Sequence, residues 1–238
     1  MTEEKTHPNK KNIEEFLKSF RMASERKRLG LLNVLEERVE ELLGLGESLM
    51  SDFDTDTYDW TPGVILQLVH KSDENFIKNT LNCEELSWFN APSAVGFDYA
   101  PLQRFLLNQC YEDADRFTSS KLRELAGEKA VKRGYVYFSE VESIPSVDLL
   151  TLDKLWVVYS RGKFGFTVQS KILDSLGGRY DKLWPRIGWK KDGIWTRYPK
   201  AFDWSIEAPN GHMPLVNQLR GVRLMDALLN HQGFKVKS

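Results

Sequence analysis

The sequence predicts an all-α protein, on three observations. Apolar residues recur at helical spacing through most of the first 90 positions. Further on, good helix formers such as Lys121-Leu122-Arg123-Glu124-Leu125-Ala126 run up to Gly127, a usual helix stop. Between Gly177 and Pro214 lie five glycines and four prolines, too many for regular elements to persist.

The elements follow in order. Ile13, Phe16, Leu17 and Phe20 form one apolar stripe, and Leu31, Leu32, Leu35, Val39, Leu42 and Leu43 form another. Gly30 and the Gly44–Gly46 pair punctuate them. Asp52 to Asp59 is an acidic linker, after which Pro62 opens a helix carrying Ile65, Leu66, Leu68 and Val69. Phe76, Ile77 and Leu81 mark one more. Residues 1–90 thus read as an antiparallel helical bundle, a scaffold with nothing catalytic in it. The turn-rich Asn90-Ala91-Pro92-Ser93 marks the boundary with a second domain, residues 91–238. There Pro101–Cys110 and Asp113–Gly127 read as helices, and Leu149–Ser160 as a third with Asp148 as its N-cap. Phe164-Gly165-Phe166-Thr167-Val168, taken alone, looks like an alternating strand after a Ser160–Gly162 turn. Val168–Leu176 also passes for a short helix.

Composition narrows the class. The 238 residues are 41% hydrophobic and 28% charged, with formal net charge −1. That is a globular composition with no general attraction to nucleic acid. Residues 1–97 carry 11 Lys/Arg against 18 Asp/Glu, and residues 98–238 carry 22 against 16. The two parts are therefore suited to different partners. Cys83 and Cys110 have no metal-like spacing and fit a reducing compartment. No run of 18 apolar residues is present, and the polar start lacks the apolar centre of a secretory signal. Four histidines, at 7, 70, 212 and 231, offer no axial pair for haem iron, so no haem is expected. No nucleophile–base pairing, phosphate loop or metal-ligand cluster appears, so no catalysis is expected.

Five of the seven tryptophans fall between Trp156 and Trp204, beside glycines, arginines and lysines. Aromatics among turn residues and cations suit a surface that receives something flat, apolar and partly anionic. Single-stranded nucleic acid would also fit that description, and the excess of Lys/Arg in residues 98–238 permits it.

A series of motifs gives this surface a context. From Gly96 the chain reads Asp98-Tyr99-Ala100-Pro101-Leu102, then Ala114-Asp115 with Thr118 and Leu122. Pro145 with Asp148-Leu149 follows, then Leu155-Trp156 with Ser160, Gly162-Lys163-Phe164-Gly165-Phe166 with Val168-Gln169, and Ile187-Gly188-Trp189. It closes on Ala208-Pro209-Asn210-Gly211-His212-Met213-Pro214 and Asn217-Gln218-Leu219-Arg220-Gly221-Val222-Arg223. In order and spacing, this series resembles the genomes-uncoupled-four family, tetrapyrrole-binding regulators of magnesium chelatase. The N-terminal bundle is similar to the extra domain of cyanobacterial members.

The resemblance implies a mostly helical core with long loops, cupped around a porphyrin-binding pocket. It moves Phe164–Val168 from a strand to a helix and its approach. It also implies protoporphyrin IX and Mg-protoporphyrin IX as ligands. These discs need broad apolar walls and rim cations for their two propionates. Phe164, Phe166, Trp189, Trp195, Tyr198, Phe202 and Trp204 are candidate walls, and Arg197, Arg220 and Arg223 candidate cations. Carried over residue by residue, the implied porphyrin-binding set is Val141, Phe166, Arg197, Tyr198, Phe202, Asn217, Arg220 and Arg223. Phe164 belongs to the set if it, and not Phe166, faces the pocket. Tyr198 stands where close relatives carry tryptophan. Asn217 could support the magnesium of Mg-protoporphyrin through its amide oxygen or through water.

Other roles remain open for several residues. Trp156 and Trp184 fit a core, Arg223 could pair with Asp226, and His212 could hold a turn. Burying about 400 Å² of apolar ligand surface is worth about 10 kcal/mol. After the cost of association, that supports affinities from micromolar into the sub-micromolar range.

The implied function is non-catalytic: a porphyrin-binding activator of magnesium chelatase in chlorophyll biosynthesis. It would engage the large porphyrin-binding chelatase subunit and shield photosensitising intermediates. The alternative is a tetrapyrrole sensor that does not stimulate the chelatase. A monomer is expected, cytoplasmic in a cyanobacterium and partly peripheral to the thylakoid membrane. A mature chloroplast protein is the other possibility.

Overall fold

A computed structural model describes residues 8–83, 86–216 and 222–235, with side chains from Asn12 onward. Helix α1 (Pro8–Met22) buries Ile13, Leu17 and Phe20, spaced four and three residues apart along one face. Short helices α2 (Glu25–Gly30), α3 (Leu32–Glu37) and α4 (Val39–Leu43) follow, then a 3-10 turn over Gly46–Met50. Leu35, Leu42 and Leu49 complete this apolar layer. Asp59 organises the next start: its carboxylate accepts from the Thr61 N–H at 2.8 Å and from the Arg28 guanidinium. Helix α5 (Thr61–Ser72) carries Pro62 in its first turn, where a missing N–H costs nothing, and α6 (Phe76–Asn79) follows it.

Helix α5 is buried along most of its length and packs into the second half of the chain. Gln67 donates from its amide to the carbonyls of Leu106 and Tyr159, each at 2.9 Å. One continuous apolar core therefore joins residues on both sides of position 90.

The second half contributes α7 (Ala100–Leu107), α8 (Tyr111–Leu125), α9 (Glu128–Arg133), a 3-10 turn over Phe138–Ser143 and α10 (Ser146–Val158). Then come α11 (Phe166–Ser175), α12 (Tyr180–Arg186), α13 (Val222–Leu229) and α14 (Gln232–Lys235). Helix α10 is the central rod, with Leu149, Leu152, Leu155, Trp156 and Val158 all buried. It starts two residues before Asp148, so that residue does not cap it. Asp148 instead accepts hydrogen bonds from the Ser93 and Tyr99 hydroxyls and the Ala94 N–H. These bonds fasten the inter-half linker to α10.

The fold is all-α, and Phe166–Val168 is the first turn of a helix. Two residues decide this. Asp153 on α10 accepts the N–H and hydroxyl of Thr167 at 2.9 and 2.8 Å, satisfying a free donor at the start of α11. Gly165, at φ +129°, is pressed so close to α10 that a Cβ would stand 2.8 Å from both the Asp153 Oδ1 and the Val157 Cγ2. Among the described residues the strands are two-residue pieces, β1 (Lys190–Lys191) and β2 (Ile194–Trp195), paired antiparallel. Asp192 and Gly193 join them with positive φ at both positions, which suits a two-residue hairpin turn. Among the described residues no helix is long and apolar enough to cross a membrane.

Candidate functional site

A cavity of about 400 Å³ opens between α8, α13 and the segments that cross their ends. Helix α8 supplies Asp115, Ser119, Leu122 and Arg123, which share one helical face by spacing. Helix α13 faces it with Leu224 and Leu228, one turn apart. Gly134, at φ +81°, ends α9 in the left-handed conformation and turns Tyr135 and Val136 into the wall. Ile144, Leu215 and Val216 close the apolar lining, and Tyr198 stands at the edge, 48% exposed. Aliphatic walls with a few polar groups at defined points are the usual make-up of a small-molecule pocket.

Asp115 is the one carboxyl among the described residues of that lining. It is buried with Tyr111, Ala114, Thr118 and Leu122 on the inner face of α8. Its Oδ1 accepts the Leu215 N–H at 2.6 Å, while its Oδ2 is buried without a hydrogen bond. Burial pushes this carboxyl up to about 7, against the Leu215 N–H, the nearby Tyr198 hydroxyl and Arg116. Burial and the same carboxylate raise the Tyr198 phenol in turn.

The aromatic run divides into three clusters. Trp156 and Phe164 are fully buried with Tyr111, and the Trp156 indole donates to the Thr118 hydroxyl at 3.0 Å. Trp184 stacks on Trp189 at 5.6 Å, with Trp195 against it. Tyr198, Phe202 and Trp204 form the third cluster, with His212 against Phe202. His212 holds a turn: its Nδ1 lies 2.6 Å from the Ile187 carbonyl oxygen, and its own carbonyl accepts from the Trp189 indole. Burial lowers its pKa.

Of the candidate binding residues, the structure places Tyr198 on the cavity. Phe202 is buried beneath it, 6.3 Å between ring centroids. Val141 is buried in the 3-10 turn that packs on α13, three residues before Ile144. Phe164 and Phe166 are both fully buried, the latter against Phe234, so neither offers a free face to the cavity. Arg197 is exposed next to Tyr198. Arg223 is exposed on α13, its guanidinium 5.5 Å from the centre of the Phe138 ring. The Asp226 carboxylate is engaged elsewhere, by the Tyr180 hydroxyl at 2.9 Å and the Asn230 amide at 3.0 Å. Asn217 and Arg220 lie outside the described residues. Among the described residues, no three of His, Cys, Asp and Glu group so as to hold a metal ion.

A family model described as GUN4-like matches residues 92–232, more than half of the chain. This chain belongs to the GUN4 family. It is 39% identical over 226 residues to a Ycf53-like protein of Synechocystis sp., a match covering 92% of this chain and 95% of that protein. It is also 38% identical over 142 residues to a chloroplastic tetrapyrrole-binding protein of Arabidopsis thaliana, covering 56% of this chain and 54% of the relative. Among solved structures, GUN4 from Chlamydomonas reinhardtii superposes with a TM-score of 0.59 at 37% identity. It covers 64% of this chain and 97% of that one. The family expected from the motifs is thus the family found, and its GUN4 core has solved counterparts.

Within this GUN4 core, sequence reasoning missed most of the cavity wall: Arg123, Val136, Ile144, Leu215, Val216, Leu224 and Leu228. A signal for two pieces existed. Leu224 and Leu228 recur at one-turn spacing on α13, and Asp115 and Leu122 recur on the inner face of α8. What the spacing lacked was the fact that these two faces look at each other across a gap.

Proposed function

We propose that this protein binds protoporphyrin IX and Mg-protoporphyrin IX without transforming them, and activates magnesium chelatase through its large porphyrin-binding subunit. The observation that carries the reading is the largely aliphatic cavity between α8 and α13, with the Tyr198 ring at its edge and Arg123 in its lining. A flat macrocycle has two apolar faces for such walls and carboxylates at one edge only. The groups present suit that division. Leu122, Val136, Leu224 and Leu228 offer apolar surface, whereas Arg123 is half-buried and Arg197 and Arg223 are exposed. Asn217, Arg220 and Arg223 would read the carboxylate edge and the metal. The relative from Arabidopsis thaliana carries tetrapyrrole binding in its name, which supports the ligand class. Enclosing the ligand would also keep light-activated intermediates from oxygen, in the cyanobacterial cytoplasm or at the thylakoid surface.

The test is a titration with each porphyrin, followed by quenching of tryptophan fluorescence. Trp204 lies 5.9 Å from Tyr198 and is the natural reporter. Saturable quenching by both ligands is expected, and none from a folded sample would remove the reading. Magnesium insertion assayed with and without the protein then decides the regulatory part. Binding without stimulation would favour a sensor.

A further inference from the structure

The cavity is walled mainly by leucine, valine and isoleucine, with Ser119, Arg123, Tyr135 and Tyr198, and Asp115 is the one carboxyl among the described residues lining it. Its backbone belongs to α8, and its Oδ1 takes the Leu215 N–H from a segment 100 residues away. The Tyr198 hydroxyl, on the long loop after β2, stands beside the same carboxyl and favours its charged form. One side chain therefore ties α8 to the Leu215 segment of the cavity wall, with the Tyr198 loop beside it.

We propose that Asp115 is a positioning residue for the cavity: when charged it holds Leu215 against α8, with Tyr198 beside it, so tetrapyrrole affinity rises as Asp115 ionises. This rests on the tetrapyrrole reading above.

A carboxylate is a markedly stronger acceptor than a carboxylic acid, so protonation loosens the hold on Leu215. Burial pushes the group up to about 7, so both forms are populated near neutral pH. The charged and titratable groups acting on it are few. Glu112 on α8 opposes ionisation, while Arg116 on α8 and Tyr198 on the facing loop favour it. The Leu215–Val216 segment presents a main-chain N–H and apolar side chains. A ligand's carboxylates would oppose ionisation too, but at a solvated edge, where salt screens charges over about 8–10 Å. The Leu215 contact is direct and buried, so the positioning effect sets the sign.

The experiment measures protoporphyrin IX affinity at pH 6 and pH 8 by fluorescence quenching, on the full chain and two variants. One proton with a pKa of about 7 limits the change to about tenfold, with weaker binding at pH 6. Asp115→Asn keeps an oxygen for the Leu215 N–H but cannot ionise. Its affinity is expected to lie at or below the wild-type value at pH 6 and to stay there at pH 8. Ionisation of the ligand itself is common to both proteins and cancels in the comparison. Tyr198→Phe removes a group that favours the charged form, so its profile should shift to higher pH. A wild-type affinity that is level between pH 6 and 8, or a variant Asp115→Asn with the wild-type slope, overturns the inference and leaves tetrapyrrole binding intact. No quenching of the wild type at either pH removes both. Should circular dichroism show Asp115→Asn unfolded, the Tyr198→Phe midpoint decides, and an unshifted midpoint overturns the inference.

Discussion

A Cβ built on Gly63 would stand 2.1 Å from the main-chain oxygen of Val158, so α5 and α10 touch backbone to backbone. The obstructing atom is the main-chain carbonyl oxygen of the last residue of α10, and backbone cannot swing aside as the end of a side chain can. Gly63→Ala should therefore destabilise the fold by about 3 kcal/mol or more, well beyond the ~1 kcal/mol gained in helix propensity. Urea unfolding measures it. An alanine variant as stable as the wild type would mean that α5 does not pack on α10 in this way.

Asp153 ties the start of α11 to α10, and its ionisation carries a cost. Burial pushes its carboxyl up to about 6, against hydrogen bonds from Thr167 and Phe166 and the charge of Lys171. An unfolded aspartate titrates near 3.9. Between those values the folded state holds more protons than the unfolded one, so this group's contribution to stability falls as pH rises. A shift of about two units corresponds to about 3 kcal/mol. Asp153→Asn does not titrate. Its stability relative to the wild type should therefore improve by up to about 3 kcal/mol between pH 4 and pH 7. Unfolding midpoints at those two pH values test it, and a constant difference would contradict the burial of this carboxylate.

These two contacts also show where the sequence could be read and where it could not. Ile13, Leu17 and Phe20 recur at the helical period because α1 has one wet and one dry face, and that alternation is written locally. Phe164 to Val168 carries an equally clear alternation of the strand type, yet α11 begins inside it. What decides the matter is Asp153 and the close approach of Gly165 to α10, and neither is local. The family resemblance supplied that answer where periodicity failed. The Asp192-Gly193 hairpin went unread: its Asp-Gly pair is a two-residue turn signal, but only two residues pair on each side and no alternation flanks it. Asp115 is a harder case. Its motif was visible, but an acidic residue on a helix carries no mark of burial until Leu215 arrives from far along the chain.

Tyr198 is the candidate wall residue with the most to lose or gain. Its ring is half exposed and rests on Phe202 and Trp204. Truncation to alanine should cost little stability, because a half-exposed side chain gives up little burial. Porphyrin affinity should fall about three- to tenfold, the scale of one aromatic contact. Tyr198→Trp enlarges the face and should tighten binding. The fluorescence titration reads both, and equal affinities for the tyrosine, alanine and tryptophan forms would take Tyr198 out of the site.

Arg223 separates charge recognition from apolar contact. Its guanidinium lies over the exposed Phe138 ring, one residue before the cavity-lining Leu224. If it reads a ligand carboxylate, Arg223→Ala should weaken protoporphyrin IX binding about tenfold, or about 1.4 kcal/mol for one charge-assisted contact at a partly solvated rim. The dimethyl ester of the same ring has no carboxylate to read, so its affinity should be nearly unchanged by the substitution. Raising the salt concentration should shrink the difference for the acid and leave the ester alone. Equal losses for acid and ester would instead assign Arg223 a packing role through Phe138. The four affinities form a cycle in which only the carboxylate–arginine coupling survives subtraction, so the result does not depend on how much the substitution disturbs α13.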